Sequence, residues 1–160
     1  MLTEDDSTVY MMEAYDEARK ASKRGDYAIG AVIVLDGEIV SRSGNEVITR
    51  GVPYAHAEFL AMDALRETRF DAIEKYREMS VVTTIAPCPM CFGRILVAGF
   101  REVVYGAPDP PSTQDYEEPV PEVFRLTAPK MRELGGDLGA RCNEIFLATR
   151  EEIDRRFFGR

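Results

Sequence analysis

The 160-residue sequence has no tryptophan, a single histidine and only three cysteines. So low and odd a cysteine count excludes a disulfide framework and leaves the thiols for metal binding or packing. Positive charge is also in deficit. Twenty basic against 28 acidic side chains give a net charge of −8, with a pI near 4.8. Such a chain repels phosphate backbones unless a local basic patch intervenes. Long hydrophobic runs are missing too. The longest, Ile29–Leu35 and Ile95–Phe100, are strand-sized, whereas a spanning helix needs roughly 18–20 apolar residues. This excludes a helical membrane reading. The acidic start, Met1 to Asp6, has no signal-peptide-like apolar core, so a cytoplasmic protein is expected. What is present is a core's worth of apolar side chains, 45% of residues with 30% charged, too apolar for a disordered chain. The length suits one domain, 1–160, and no repeat or composition break divides it.

Residue spacing predicts a helix over Ser7–Arg24, with Met11, Tyr15, Ala18 and Ala21 on one face, Ser7 as N-cap and Gly25 as stop. Ala28–Leu35, the Asp36-Gly37 turn and Glu38–Ser43 read as a β-hairpin. Ser43–Pro53 reads as a loop, Ala55–Arg69 as a helix and Ser80–Ile85 as a strand. Pro87–Ala98 reads as a helix with Pro89 in its first turn and Gly99 at its end. Arg101–Tyr105 is a further strand, and Gly106–Pro121, with five of the nine prolines, a long loop. Ala128–Leu134 is expected as a short helix stopped by Gly135-Gly136, and Asn143–Leu147 as a last strand. Thr149 with Glu152 forms a capping-box pattern opening a terminal helix to Phe158. Alternating strands and helices imply an α/β fold, a sheet covered by helices.

The only histidine, His56, stands in Ala55-His56-Ala57-Glu58, and two of the three cysteines stand in Pro87-Cys88-Pro89-Met90-Cys91. A Cys-x-x-Cys at a helix start brings two sulfurs to one ion, and helix N–H groups and metal both favour thiolates. Zinc takes sulfur and imidazole in a tetrahedron. Three protein ligands leave the fourth position open, as in catalytic rather than structural sites. Glu58, two residues past His56, can face that position without ligating. A carboxylate there can take a proton from attacking water, pass it to a ring nitrogen, and later protonate departing ammonia. The bland alternatives are a redox Cys-x-x-Cys, a closed structural zinc site with Cys142 as fourth ligand, a packed histidine and a helix-terminal carboxylate. The joint pattern, His-x-Glu followed by Pro-Cys-x-x-Cys, is the signature of zinc-dependent deaminases.

On these motifs the chain resembles the cytidine/deoxycytidylate deaminase superfamily, and within it the branch of cytosine, guanine and tRNA-specific adenosine deaminases. The resemblance spans roughly Val9 to Gly106, including Ile29–Val34, Gly44-Asn45 and Val103–Ala107. It implies a three-layer α/β/α fold with a mixed five-stranded sheet. It implies one zinc per chain on His56, Cys88 and Cys91, with Glu58 as the catalytic proton carrier. It implies that Asn45 hydrogen-bonds substrate, that Asp109 lies near the substrate, and that the chain forms a homodimer or higher homo-oligomer. The terminal helix, with Asp154, Phe157 and Phe158, falls where relatives fold a lid over the pocket; Phe157 and Phe158 are expected to anchor it to the core. Tyr54 and Ala86 depart from the residues usual in relatives, so both are expected to reshape the pocket.

Charge points to a free nucleobase, nucleoside or related amino-heterocycle as substrate, because the chain and its 109–122 segment are acidic. The alternative is a tRNA-specific adenosine deaminase, which calls for a basic stripe. Arg141, Arg150, Arg155, Arg156 and Arg160 could form one, but Glu151, Glu152 and Asp154 interrupt it. A non-catalytic zinc-stabilised scaffold is the third reading, and Glu58 counts against it.

Overall fold

The computed structural model describes residues 1–65, 73–109, 122–126 and 128–159. The chain opens with α1 (Glu4–Arg24), followed by β1 (Gly30–Leu35) and β2 (Glu38–Gly44). Short α2 (Val47–Arg50), α3 (Ala57–Ala64) and α4 (Ile73–Tyr76) lead to β3 (Ser80–Ile85). Then come α5 (Pro89–Ala98), β4 (Glu102–Ala107), a 3-10 turn at Glu122–Phe124, β5 (Lys130–Glu133) and α6 (Gly136–Phe158). The strands form one mixed sheet in the order β2-β1-β3-β4-β5. β1 is antiparallel to both β2 and β3, whereas β3, β4 and β5 run parallel. The mixed five-stranded sheet expected from the resemblance is therefore present.

Alternation along the strands builds two cores. Ala31 and Ile33, Val81 and Val103 face α3 and α5, where they meet Ala57, Ala61, Met62, Ile95 and Phe100. Their neighbours Val32, Val34, Val82 and Val104 face the other way, onto Met11 and Ala14 of α1 and Cys142 of α6. Central strands buried on both faces read as continuous apolar runs, which is why Gly30–Leu35 carries no polar residue. Two glycine positions let helices lie directly on the sheet. A Cβ at Gly30 would sit 2.0 Å from the Ala14 carbonyl oxygen, and one at Gly139 would sit 2.4 Å from that of Gly106.

Several boundaries differ from the expectation. Thr3, rather than Ser7, caps α1 in a reciprocal box with Asp6; Ser7 lies one turn inside, buried, donating to the Thr3 carbonyl at 2.6 Å. Val47–Arg50 forms a helical turn inside the expected loop. The helix expected over Ala55–Arg69 runs from Ala57 to Ala64; positions 66–69 lie outside the described residues, as do 110–121 of the expected loop. The larger differences are C-terminal. The segment expected as a helix over Ala128–Leu134 holds β5, paired in register with β4 from Glu102↔Lys130 to Tyr105↔Glu133. Its Lys, Met, Arg and Glu have good helix propensity, but an open parallel edge overrides it. Asn143–Leu147 is not a strand, and Thr149 opens no helix: both lie inside the 23-residue α6. Leu138, Cys142, Phe146, Thr149 and Ile153 recur at helical spacing along it.

Candidate metal and substrate site

Two helix N-termini meet at the end of β3. His56 occupies the N-cap position of α3 and Cys88 that of α5, with Pro89 at the next position and Cys91 in the first turn. Proline belongs there because a first-turn residue has no intrahelical N–H bond to lose. The ligand atoms of His56, Cys88 and Cys91 all lie within 4.8 Å of one another, and no other such group occurs among the described residues. His56 Nδ1 stands 3.5 Å from Cys88 Sγ. A tetrahedron with zinc–sulfur and zinc–nitrogen bonds of about 2.3 and 2.0–2.1 Å has an S···N edge of about 3.6 Å. Donor set and spacing thus fit zinc. The His56 ring also bonds the Pro53 carbonyl, which fixes its orientation as outer-sphere partners of metal-binding histidines do. A hydrogen bond from Cys91, and then one from His56, bring the Cys88 thiol down to about 4, while Cys91, sharing its proton, is pushed up. The site is therefore already poised to present a thiolate.

Glu58, in the first turn of α3, is 4% exposed and its carboxyl is raised by burial. It lines a cavity of about 480 Å³ together with His56, Cys88, Asn45 and Ala86. Asn45 is 1% exposed. Its Oδ1 accepts from Val47 N–H at 3.0 Å, so the amide NH2 is the end left for the cavity. The opposite wall comes from far along the chain. Phe146, Arg150 and Asp154 of α6 reach the cavity beside Tyr27 and Asp109. Arg150 Nη1 donates to Asp109 Oδ1 at 2.8 Å, and its Nε lies 3.8 Å from Asp154 Oδ2. Tyr27 Oη donates to Asp154 at 3.5 Å, and Ala28 N–H donates to Thr149 Oγ1 at 2.9 Å. Tyr27 and Ala28 thus fasten α6 to the segment just before β1, and Asp109 fastens it to the segment just after β4.

Residues 4–107 match the family described as the cytidine and deoxycytidylate deaminase zinc-binding region. The chain belongs to that family. Zinc is accordingly the metal its three ligands fit. A "tRNA-specific adenosine deaminase" from Bacillus subtilis (strain 168) is 40% identical over 113 residues, which cover 68% of this chain and 65% of that relative. A solved structure of a tRNA:A34 deaminase, from work on A-to-I editing at the wobble position of transfer RNA, superposes with a TM-score of 0.63 at 33% identity. It covers 79% of this chain and 97% of that one. Guanine deaminase from Bacillus subtilis superposes at 0.54 with 31% identity, over 63% of this chain and 64% of its own.

In this deaminase-family chain the residues expected to bind metal, carry protons or contact substrate reach one place. His56, Cys88 and Cys91 cluster, and Glu58, Asn45 and Asp109 line the same cavity. Ala86 lines it as well, but Tyr54 does not: it is 55% exposed and tilted against Phe59, with ring centroids 5.8 Å apart. Cys142 sits in the core between α6 and the sheet, away from the metal ligands. Phe157 is 48% exposed and does not anchor α6; Phe146 and Ile153, both buried, do, and the Phe158 side chain lies outside the described residues. The arginines of the interrupted C-terminal stripe are largely engaged within the molecule. Arg141 lies over Tyr15, Arg156 over Phe157, Arg155 pairs with Glu151 and Arg150 with Asp109; Arg160 lies outside the described residues. Tyr27 and Phe146 escaped the sequence reading because neither belongs to a motif. The helical spacing of Phe146 with Arg150 and Asp154, once α6 is read as one helix, is the signal that finds Phe146; no such signal marks Tyr27.

Proposed function

We propose that this chain is a zinc-dependent hydrolytic deaminase of adenosine presented on tRNA, acting as one domain over 1–160. The observation that carries the substrate is the 40% identity to a tRNA-specific adenosine deaminase, and the match to the tRNA:A34 deaminase structure supports it. The reaction adds water to the ring carbon bearing NH2 and expels ammonia, leaving a carbonyl. Zinc, when bound, supplies Lewis-acid activation at neutral pH. Glu58, buried beside the metal ligands, takes the proton of the attacking water. It delivers that proton to the ring nitrogen, then takes the proton of the newly added hydroxyl and passes it to the departing amine, so that the C–N bond breaks as the carbonyl forms. Asn45 donates its amide NH2 to the base and orients it. The walls of Tyr27, Phe146 and Ala86 exclude bulk water from the reacting carbon.

A second reading, a free nucleobase or nucleoside as substrate, is favoured by one observation. The mouth is acidic and its one arginine is occupied: Arg150 is held by Asp109 and approached by Asp154, in a chain of net charge −8. A homo-oligomer belongs to the same proposal, supported by the apolar Tyr54, Met90 and Val97 left exposed on and beside α3 and α5. So does a cytoplasmic location. Among the described residues no helix is long and apolar enough to cross a membrane.

The test is a panel in which zinc-loaded protein meets an anticodon stem-loop carrying adenosine at its first anticodon position, and free guanine, cytosine, adenine and their nucleosides. Conversion of the stem-loop adenosine to inosine, weakened by added salt, is the expected result. Ammonia release from a free base or nucleoside, with none from the stem-loop, overturns the tRNA reading in favour of the second.

A further inference from the structure

We infer that Asp26 is a positioning residue for the reaction, acting through Asn45, and the inference rests on the reading of Asn45 as a substrate contact. Asp26 is fully buried and belongs to none of the motifs. Its carboxylate nonetheless makes four polar contacts. Oδ1 accepts from Ile48 N–H at 2.8 Å and from Thr49 N–H at 2.9 Å. Oδ2 accepts from Thr49 Oγ1 at 2.8 Å and lies 3.5 Å from Arg24 Nε. Ile48 and Thr49 belong to α2, the four-residue helix immediately after Asn45.

α2 has little else to hold it. None of its residues is buried, and its N-cap residue Glu46 makes no side-chain capping bond. A single isolated turn is unstable alone, since nucleation fixes several dihedrals for one hydrogen bond. Asp26 supplies what packing does not, by accepting the first-turn N–H groups that a helix leaves unsatisfied. Arg24 completes the clamp. Its Nη2 donates to the Asn45 carbonyl at 3.0 Å while its Nε faces Asp26. Asn45 is thus held at its carbonyl by Arg24, at its N–H by Ile29 O at 2.9 Å, and at Oδ1 by Val47 N–H, inside the turn that Asp26 anchors. With Oδ1 committed to Val47, the amide NH2 can face only the cavity. Val47 and Pro53 line the cavity beside Asn45, so the same clamp sets that wall.

The test is a double-mutant cycle on the zinc-loaded full chain, with deamination of the adenosine stem-loop, zinc content and amide exchange as readouts. Asn45→Ala should lower kcat/KM by about 10–100-fold, the loss of a hydrogen bond to the reacting base. Asp26→Ala should lower it by about tenfold, mostly through KM, with faster exchange at Ile48 and Thr49 and one zinc per chain retained. In the Asn45→Ala background, Asp26→Ala should cost less than about twofold, because the residue it positions is gone. Asp26→Asn, which still accepts both backbone N–H groups, should recover part of the loss and replaces the alanine variant if that does not fold. Equal losses from Asp26→Ala in both backgrounds, or wild-type kinetics, overturn the inference. Wild-type kinetics in Asn45→Ala overturn the Asn45 reading instead, and an inactive wild-type protein overturns the function itself; the three failures are separate.

Discussion

The floor and the outer wall of the cavity are built in opposite ways. The floor is local. Two helix N-termini carry His56, Glu58, Cys88 and Cys91 within two short motifs, Ala55–Glu58 and Pro87–Cys91, and chemistry dictates both residue types and spacing. The wall is assembled at long range. Arg150 meets Asp109 across 41 positions, Thr149 meets Ala28 across 121, and Asp154 meets Tyr27 across 127. The floor is fixed by the geometry of a metal site, whereas the wall depends on how one helix docks on the sheet. The difference teaches where reaction and substrate are set. The proposed function accordingly assigns the reaction to the floor and the choice of amino-heterocycle to the wall.

The sharpest way to break this division is to remove a floor ligand. Cys88→Ala or His56→Ala should lose zinc and with it all turnover, measured by metal content of the purified protein. Cys142→Ser, on the wall's helix, should keep one zinc per chain. Loss of metal from Cys142→Ser would show a closed structural site. Next in size is Glu58→Gln, which should keep zinc and lose about 10²–10⁴-fold in kcat, the usual worth of a positioned acid–base group. An unchanged kcat would remove Glu58 from the proton transfers.

On the wall side the expected effects are smaller. Gly139→Ala places a methyl against the Gly106 carbonyl oxygen and should lower stability by about 1–3 kcal/mol in denaturant unfolding, the usual cost of overpacking. It should raise KM before it affects zinc. Arg150→Ala should change stability by at most about 1 kcal/mol, because the ion pair is partly solvated. Its mark should be a few-fold shift in the ratio of kcat/KM between stem-loop and free base, read by direct competition. A shift in zinc affinity instead would erase the boundary between floor and wall.

The same boundary explains what was legible in the sequence. The metal ligands, Glu58 and Asn45 sit in motifs whose chemistry can be read residue by residue, and the structure gathers them all. The β1–β2 hairpin was equally plain, because Asp36-Gly37 supplies two positive-φ positions between apolar runs. β5 was not, because Lys130–Glu133 has helix-forming side chains and becomes a strand only through the edge that β4 offers. α6 was misread because Asn143–Leu147 looks β-like alone, and because Thr149 resembles a cap. Its hydroxyl in fact donates back to the α6 carbonyls of Ile145 and Phe146 and accepts from Ala28. Phe146 belongs to no motif and is marked only by the single apolar stripe of that helix.

The most direct measurement is the yield of ammonia and inosine from the adenosine stem-loop, with zinc-loaded wild-type and Glu58→Gln proteins run side by side. Equal molar amounts of ammonia and inosine from the wild type, and almost none from a variant that keeps its zinc, are the predicted result. Equal activity in the two proteins, or a zinc-loaded wild type that releases no ammonia from the stem-loop or from any free base or nucleoside, would contradict it.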